Sequence, residues 1–224
     1  MLIHIVIAAL VLLPSVILHE VAHGYVAFRL GDPTAKERGR LSLNPFKHIS
    51  WFGTVLMPLL LSLFHLPVFG YAKPVPIDPR YFENPRQGMA LVALAGPATN
   101  IVIALLCTVF LNMGMDWIQP GAKAAALAFA DSGAYFWPGR LVFYGVLAYQ
   151  GLIINLVLVI FNAMPVPPLD GSRVVSWLLP DPLARGYNRI EPYGMAIVMA
   201  LLYFDFFSWL FERLLTPLLN SLVY

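Results

Sequence analysis

Charged residues are scarce in this sequence, where aspartate, glutamate, lysine and arginine together make up 12% of the 224 residues. A soluble globular domain carries about twice that share. Hydrophobic residues make up 59%, and the mean hydropathy is +0.74. A soluble domain of this length has too small a core to bury so much apolar surface. The sequence therefore predicts one integral-membrane domain over residues 1–224, in contact with the lipid bilayer.

Two further absences exclude other classes of protein. The only cysteine is Cys107, which excludes an internal disulfide bond and a cysteine-based zinc cluster. The net charge is only +2, so no nucleic-acid partner is indicated. No basic residue precedes the first apolar run and no small-residue cleavage site ends it. We therefore expect a retained transmembrane helix rather than a signal peptide.

Apolar runs dominate what is present. They cover residues 2–18, 51–69, 88–115, 140–163 and 194–219, and the first run continues through 19–30 as the end of the same helix. About 20 apolar residues cross a bilayer, so the first, third, fourth and fifth runs are predicted to span it. The predicted fold is an all-α polytopic membrane protein with four full transmembrane helices.

The basic residues predict the topology. They concentrate in 29–47, 70–86 and 164–192, whereas 112–139 contains only Lys123. The positive-inside rule places the first three segments in the cytosol, and both termini then lie on the other side. The run 51–69 lies between two cytosolic segments and is broken by glycine and proline. We therefore expect it to enter the membrane and return on the same side.

The end of the first run contains the chemistry-bearing sequence His19-Glu20-Val21-Ala22-His23. Residues four apart lie on one face of a helix, so both imidazoles could bind one metal ion while Glu20 reaches a metal-bound water. This is the HExxH pattern of zinc peptidases, in which the glutamate takes a proton from that water. Ionisable groups at membrane depth are costly and indicate function. The alternative is a polar helix end that is solvated at the interface.

A catalytic zinc site needs a third protein ligand and one open position. His4 is excluded, because it lies about 15 residues, or about 22 Å, away along the same helix. Asp170 is favoured, because it follows a proline-rich stretch after the fourth run, at the same predicted cytosolic depth as His19. Other interpretations are a helix cap by Asp170, or a different ligand: His48, His65 or Asp205.

Three motifs in this order resemble those of the site-2 protease family of intramembrane zinc metalloproteases. They are His19–His23, the segment 95–100 (Ala-Gly-Pro-Ala-Thr-Asn) and the segment 162–171, which ends in Leu-Asp-Gly. The short chain is similar to the minimal branch without PDZ or CBS domains. The resemblance implies that His19, His23 and Asp170 bind one Zn²⁺ ion and that Glu20 is the general base.

The resemblance also implies a substrate class, which is the transmembrane segments of other proteins. Asn100 and Asn162 are then expected to bind substrate near the zinc, although interhelical hydrogen bonding would explain them as well. The segment 69–77, which contains Lys73, resembles the family's membrane-associated β element. Its edge could hold an unwound substrate strand, and a plain proline-rich loop is the alternative.

Together these features predict a zinc-dependent intramembrane endopeptidase in the plasma membrane, with its active site toward the cytosolic leaflet. Two alternatives remain at this point. One is an ion-conducting, proton-conducting or zinc-binding membrane protein that uses His19, Glu20 and Asp170. The other is a membrane zinc peptidase of another type.

Overall fold

A computed structural model describes residues 2–64, 70–115, 121–132 and 140–223. Across these residues the chain is mainly helical, and they contain no β-strand. The helices are α1 (Leu2–Arg29), α2 (Thr34–Glu37), α3 (Met57–Leu63), α4 (Pro85–Val109), α5 (Ala122–Ser132), α6 (Arg140–Asn162), α7 (Asp170–Leu178), α8 (Asp181–Asn188), α9 (Gly194–Tyr203) and α10 (Phe206–Val223). Short 3₁₀ turns cover Pro45–Lys47, Pro79–Tyr81 and Glu191–Tyr193, and π-helical turns cover Trp51–Leu56 and Phe110–Gly114.

Three helical stretches are long and apolar enough to cross a membrane: Ile7–Arg29, Pro85–Gly114 and Val142–Asn162. They correspond to the first, third and fourth predicted spans. The second of these stretches begins sharply, because the Asn84 side chain accepts a hydrogen bond from the Gln87 N–H and Pro85 occupies the first turn. The prediction of an all-helical, multi-pass membrane protein is confirmed.

The predicted fifth span, 194–219, is two helices rather than one. The helical stretches Asp181–Tyr203 and Phe206–Val223 meet at an angle of 76°. Between them Asp205 has a φ of 60°, a left-handed conformation that ends a helix and that aspartate tolerates better than most residues. The described residues therefore contain three candidate spans, or four if this bent pair counts as one.

The predicted re-entrant run, 51–69, is described only as far as Phe64. Its helical part covers Trp51–Leu63, about 20 Å at helical rise and short of the roughly 30 Å hydrocarbon core. The Tyr71 N–H donates to the Gly53 carbonyl at 3.0 Å, and the Thr54 hydroxyl donates to the Tyr71 carbonyl at 3.0 Å. By Tyr71 the chain is therefore back beside the start of this helix.

The β element predicted at 69–77 is not confirmed. Residues 70–77 form no strand, and residue 69 lies outside the described residues. Pro74 and Pro76 have no N–H to give to a ladder, and the Lys73 N–H donates to the His48 carbonyl at 2.8 Å. The segment is irregular chain held against the protein.

Helix α4 lies at the centre of the molecule and packs against α1, α6 and α7. One buried apolar cluster joins α1, α4, α5, α6 and α10, with Ile7, Leu111, Val146 and Leu152 among its members. At Gly151 the helices α4 and α6 approach closely, because a Cβ there would lie 2.8 Å from the Cys107 sulfur. The second half of α1 and the start of α7 both lie against α4.

Candidate metal centre

The two histidines of α1 lie side by side, as their spacing predicts. Their ring centroids are 4.6 Å apart and the ring planes are nearly perpendicular. Both side chains are buried. Burying two imidazoles among helices requires partners for all four ring nitrogens.

Asp170 approaches both histidines from the first turn of α7. Its Oδ2 lies 3.1 Å from His19 Nε2 and 3.3 Å from His23 Nε2. Leu169 occupies the N-cap position of α7, so the Asp170 carboxylate does not cap the helix. A Cβ at Gly171 would lie 2.3 Å from the Ala163 carbonyl, so glycine permits the close backbone approach that places this carboxylate.

These three groups fit a metal ion. One ligand atom from each lies within 4.8 Å of the other two, and they form the one such cluster in the described part of the chain. A tetrahedral zinc ion with bonds of about 2.0–2.1 Å separates its ligand atoms by about 3.3 Å, close to the distances from Asp170 to the two imidazoles. The buried Asp170 Oδ2 has no hydrogen-bond partner among the described residues, which is typical of an atom that binds an ion.

Gly96 on α4 leaves the room for that ion. A Cβ at this position would lie 2.5 Å from His19 Nε2 and 2.5 Å from His23 Nε2. Gly96 therefore lies directly beside the Nε2 atoms of both histidines, which are the atoms that would bind the ion. Any side chain here would push into the metal centre.

The other nitrogen of each imidazole is held by α4. His19 Nδ1 is 2.5 Å from Asn100 Oδ1, and His23 Nδ1 is 2.7 Å from the Val92 carbonyl oxygen. Both acceptors require a proton on Nδ1, which leaves the Nε2 lone pairs available to a metal. Asn100 was predicted to bind substrate. It lies fully buried next to His19, one helical turn after Gly96, and its role toward substrate stays a prediction.

The carboxylate of Glu20 is held by the irregular segment 70–77. Its Oε2 accepts a hydrogen bond from the Val75 N–H at 3.0 Å. The buried Arg40 fixes this segment, because its guanidinium donates to the Lys73 carbonyl at 2.5 Å and to the Pro74 carbonyl at 3.3 Å. Sequence reasoning missed both Arg40 and the Val75 N–H, since the partners lie far apart in the chain.

A cavity of about 610 Å³ opens onto these groups. Asn162 lines it, and the Asn162 Nδ2 donates to the Leu158 carbonyl at 3.0 Å. Lys73 is exposed and is not among the residues that line it. Most of the cavity wall is apolar. It includes the four ionisable residues of the metal centre, Glu20, His19, His23 and Asp170, and the other lining residues include Tyr71, Ala72, Pro74, Val75, Val92, Phe161, Leu169 and Val198.

The other candidate ligands lie elsewhere. His48 is buried, and its Nε2 is 2.7 Å from the Ser42 carbonyl oxygen. Asp205 is exposed at the bend between α9 and α10, where it accepts a hydrogen bond from the Ser208 hydroxyl. His65 lies outside the described residues. Neither His48 nor Asp205 joins the cluster around His19.

Several known proteins are similar to this chain in sequence. The chain is 36% identical to "Putative zinc metalloprotease YwhC" of Bacillus subtilis over 210 residues, which are 94% of this chain and 84% of that protein. It is 30% identical to "Putative zinc metalloprotease Rip2" of Mycolicibacterium smegmatis over 208 residues, 89% of this chain and 71% of that protein. No solved structure matches. The model of "Peptidase family M50" matches residues 7–204, which include all three motifs of the sequence, and the chain belongs to this peptidase family.

Proposed function

We propose that the protein is a zinc-dependent endopeptidase that hydrolyses peptide bonds in or near the transmembrane segments of other membrane proteins. The observation that carries the proposal is the convergence of His19, His23 and Asp170 on Gly96, with Glu20 in the same cavity. Two imidazoles and one carboxylate, with an open cavity beside them, are the donor set of a catalytic zinc site. The names of the two relatives support zinc as the metal.

In the proposed mechanism His19, His23 and Asp170 hold the metal, which when bound lowers the pKa of a water toward about 7 and polarises the substrate carbonyl. Glu20 takes the proton of the attacking water and passes it to the leaving amine nitrogen. The hydrogen bond from the Val75 N–H to Oε2 holds this carboxylate in the cavity, and Oε1 would then be the oxygen that takes the proton.

The apolar cavity supports a transmembrane substrate. Because α1 is itself a candidate span, a peptide bond that reaches Glu20 lies among membrane helices. We propose that Asn162 donates to the substrate backbone when it turns from the Leu158 carbonyl. The segment 69–77 is proposed to guide an unwound substrate, since Tyr71, Ala72 and Val75 line the cavity. Lys73 would help to hold this segment in place through its backbone, which is hydrogen-bonded to Arg40 and His48, rather than bind substrate through its side chain.

The proposed topology is one multi-pass membrane domain over residues 1–224, in the plasma membrane. The run 51–69 enters and leaves on one side, which the return of Tyr71 to Gly53 supports. The bent pair α9 and α10 forms a broken fourth span. The distribution of basic residues supports a topology in which the C-terminal ends of α1 and α6, and with them the metal centre, lie toward the cytosol.

Metal analysis of the purified protein, together with a cleavage assay, tests the proposal. We expect one zinc ion per chain in the wild type, no zinc after His23→Ala, and zinc but no cleavage after Glu20→Gln. Glu212→Gln, an exposed glutamate on α10, is the matched control and should retain both. Cleavage that survives Glu20→Gln would refute the role of Glu20, and zinc that survives His23→Ala would refute the ligand set.

A further inference from the structure

A row of buried polar side chains runs from the metal centre into the membrane core. It begins at Asn100 on α4, passes to Asn155 on α6 and ends at Ser15 on α1. Asn100 and Asn155 are 0% exposed and Ser15 is 3% exposed. Polar groups at such a depth are costly unless every donor has an acceptor.

Each member of the row is hydrogen-bonded to the next. Asn100 Nδ2 donates to Asn155 Oδ1 at 2.7 Å. Asn155 Nδ2 donates to Ser15 Oγ at 2.9 Å and to the Gly151 carbonyl at 2.8 Å. The Ser15 hydroxyl donates to the Val11 carbonyl at 2.9 Å. The row thus ends on two backbone carbonyls.

Those carbonyls determine the direction of every bond in the row. A carbonyl oxygen accepts and never donates, so the amide nitrogen of Asn155 must face Gly151 and its oxygen must face Asn100. The amide of Asn100 then presents its nitrogen to Asn155 and its oxygen to His19. An inverted amide at either position would bring two acceptors, or two donors, into contact inside a low-dielectric core.

We propose that Asn155, supported by Ser15, is a positioning residue that fixes the tautomer and ring orientation of His19. Because Asn100 Oδ1 can only accept, His19 carries its proton on Nδ1, and Nε2 keeps its lone pair for the metal. This inference rests on the proposed metal site and extends it to a residue on another helix. Partners behind a ligating histidine change metal affinity by about 10- to 100-fold when they are lost.

Helix packing alone does not account for Asn155. The contact between α4 and α6 already has a large apolar component, since Ala104, Leu152 and Leu156 belong to one buried cluster. A leucine at position 155 would extend that cluster. A purely structural role therefore predicts that Asn155→Leu leaves the His19 tautomer unchanged and alters the metal affinity no more than a control substitution elsewhere on the packed helices does.

The test uses the full chain in detergent micelles and three variants. Asn155→Leu removes the acceptor for Asn100. Asn155→Asp keeps it, because a carboxyl group in this environment stays protonated and offers one acceptor to Asn100 and one donor to Gly151. Thr108→Val is the matched control, since it removes a hydroxyl that donates to the Ala104 carbonyl at 3.0 Å on α4, away from His19.

Two readouts are measured for each protein. Zn²⁺ affinity is obtained by competition with a chromophoric chelator, and the His19 tautomer of the Zn²⁺-loaded protein is read from its ¹⁵N ring shifts. We expect Asn155→Leu to weaken Zn²⁺ binding by about 10- to 100-fold and to give a mixture of His19 tautomers. Asn155→Asp and Thr108→Val should keep the Nδ1–H tautomer and bind Zn²⁺ within about threefold of wild type, because the acceptor behind Asn100 is retained in both.

Wild-type affinity and an unchanged tautomer in Asn155→Leu would overturn the inference. An equal loss of affinity in all three variants would also overturn it, since the effect would then come from helix packing. The underlying metal site is tested separately with His19→Ala. If that variant binds Zn²⁺ as tightly as wild type, the proposed metal site itself fails, whereas a site that needs His19 but ignores Asn155 refutes only the positioning role.

Discussion

Replacing Gly96 with alanine tests the geometry of the metal centre with one methyl group. The added Cβ would lie 2.5 Å from the Nε2 atoms of both His19 and His23, where ordinary contacts begin at 3.4 Å. The rings or the helices must therefore move by about 0.9 Å, several times the roughly 0.2 Å that a zinc–ligand bond tolerates. Overpacking of this kind costs about 1–3 kcal/mol of stability.

We expect Gly96→Ala to retain its helical content but to lose more than about 100-fold in zinc affinity, because two ligands are displaced rather than one supporting partner. Cleavage of a transmembrane substrate should fall with it. The assay is chelator competition for zinc beside a circular-dichroism melt. Gly186→Ala on α8 is the control: nothing lies within 4 Å of its Cβ position, so it should gain up to about 1 kcal/mol of helix stability and keep full affinity. Wild-type zinc affinity in Gly96→Ala would refute the placement of the imidazoles over this glycine.

Three further changes probe other parts of the site. Arg40→Met should lower cleavage by about 10- to 100-fold, because it removes charge-assisted hydrogen bonds to the segment that holds Glu20. Zinc affinity, measured by chelator competition, should stay unchanged, and a parallel loss of zinc would contradict this. Gly171→Ala brings a Cβ to 2.3 Å from the Ala163 carbonyl oxygen, a backbone clash that should displace Asp170, lower thermal stability by about 1–3 kcal/mol and abolish zinc binding in a metal analysis; retained zinc would argue against Asp170 as a ligand. Treatment with 1,10-phenanthroline should stop cleavage and added Zn²⁺ should restore it; activity that resists the chelator would exclude a metal mechanism.

Local patterns in the sequence predicted the parts of the site that lie on one helix. The spacing of His19 and His23 places both rings on one face of α1, and this does not depend on how the other helices pack. The long apolar runs likewise predicted the three clear spans, because a bilayer demands a minimum length. Asp170 was predicted from the prolines before it and from its depth after the fourth run.

Contacts between distant segments could not be predicted in the same way. Glu20 and Val75 are 55 positions apart, and nothing in either local sequence specifies the pairing. The contacts of Asn100 with His19 and Asn155 are a second example, because an amide side chain can bind a ligand, a partner helix or a histidine equally well. The break at Asp205 was not predicted because the apolar run continues on both sides of it. Hydropathy does not predict a backbone angle such as the φ of 60° at this residue.

Mapping the cut site in a model single-span substrate tests the central claim most directly. The purified enzyme and the substrate are reconstituted together in liposomes, and the fragments are identified by intact mass spectrometry. The proposed function predicts fragments whose new ends lie in or beside the transmembrane segment, present with wild-type enzyme and absent with Glu20→Gln. Fragments cut only in soluble parts of the substrate, or formed equally by Glu20→Gln, would contradict it.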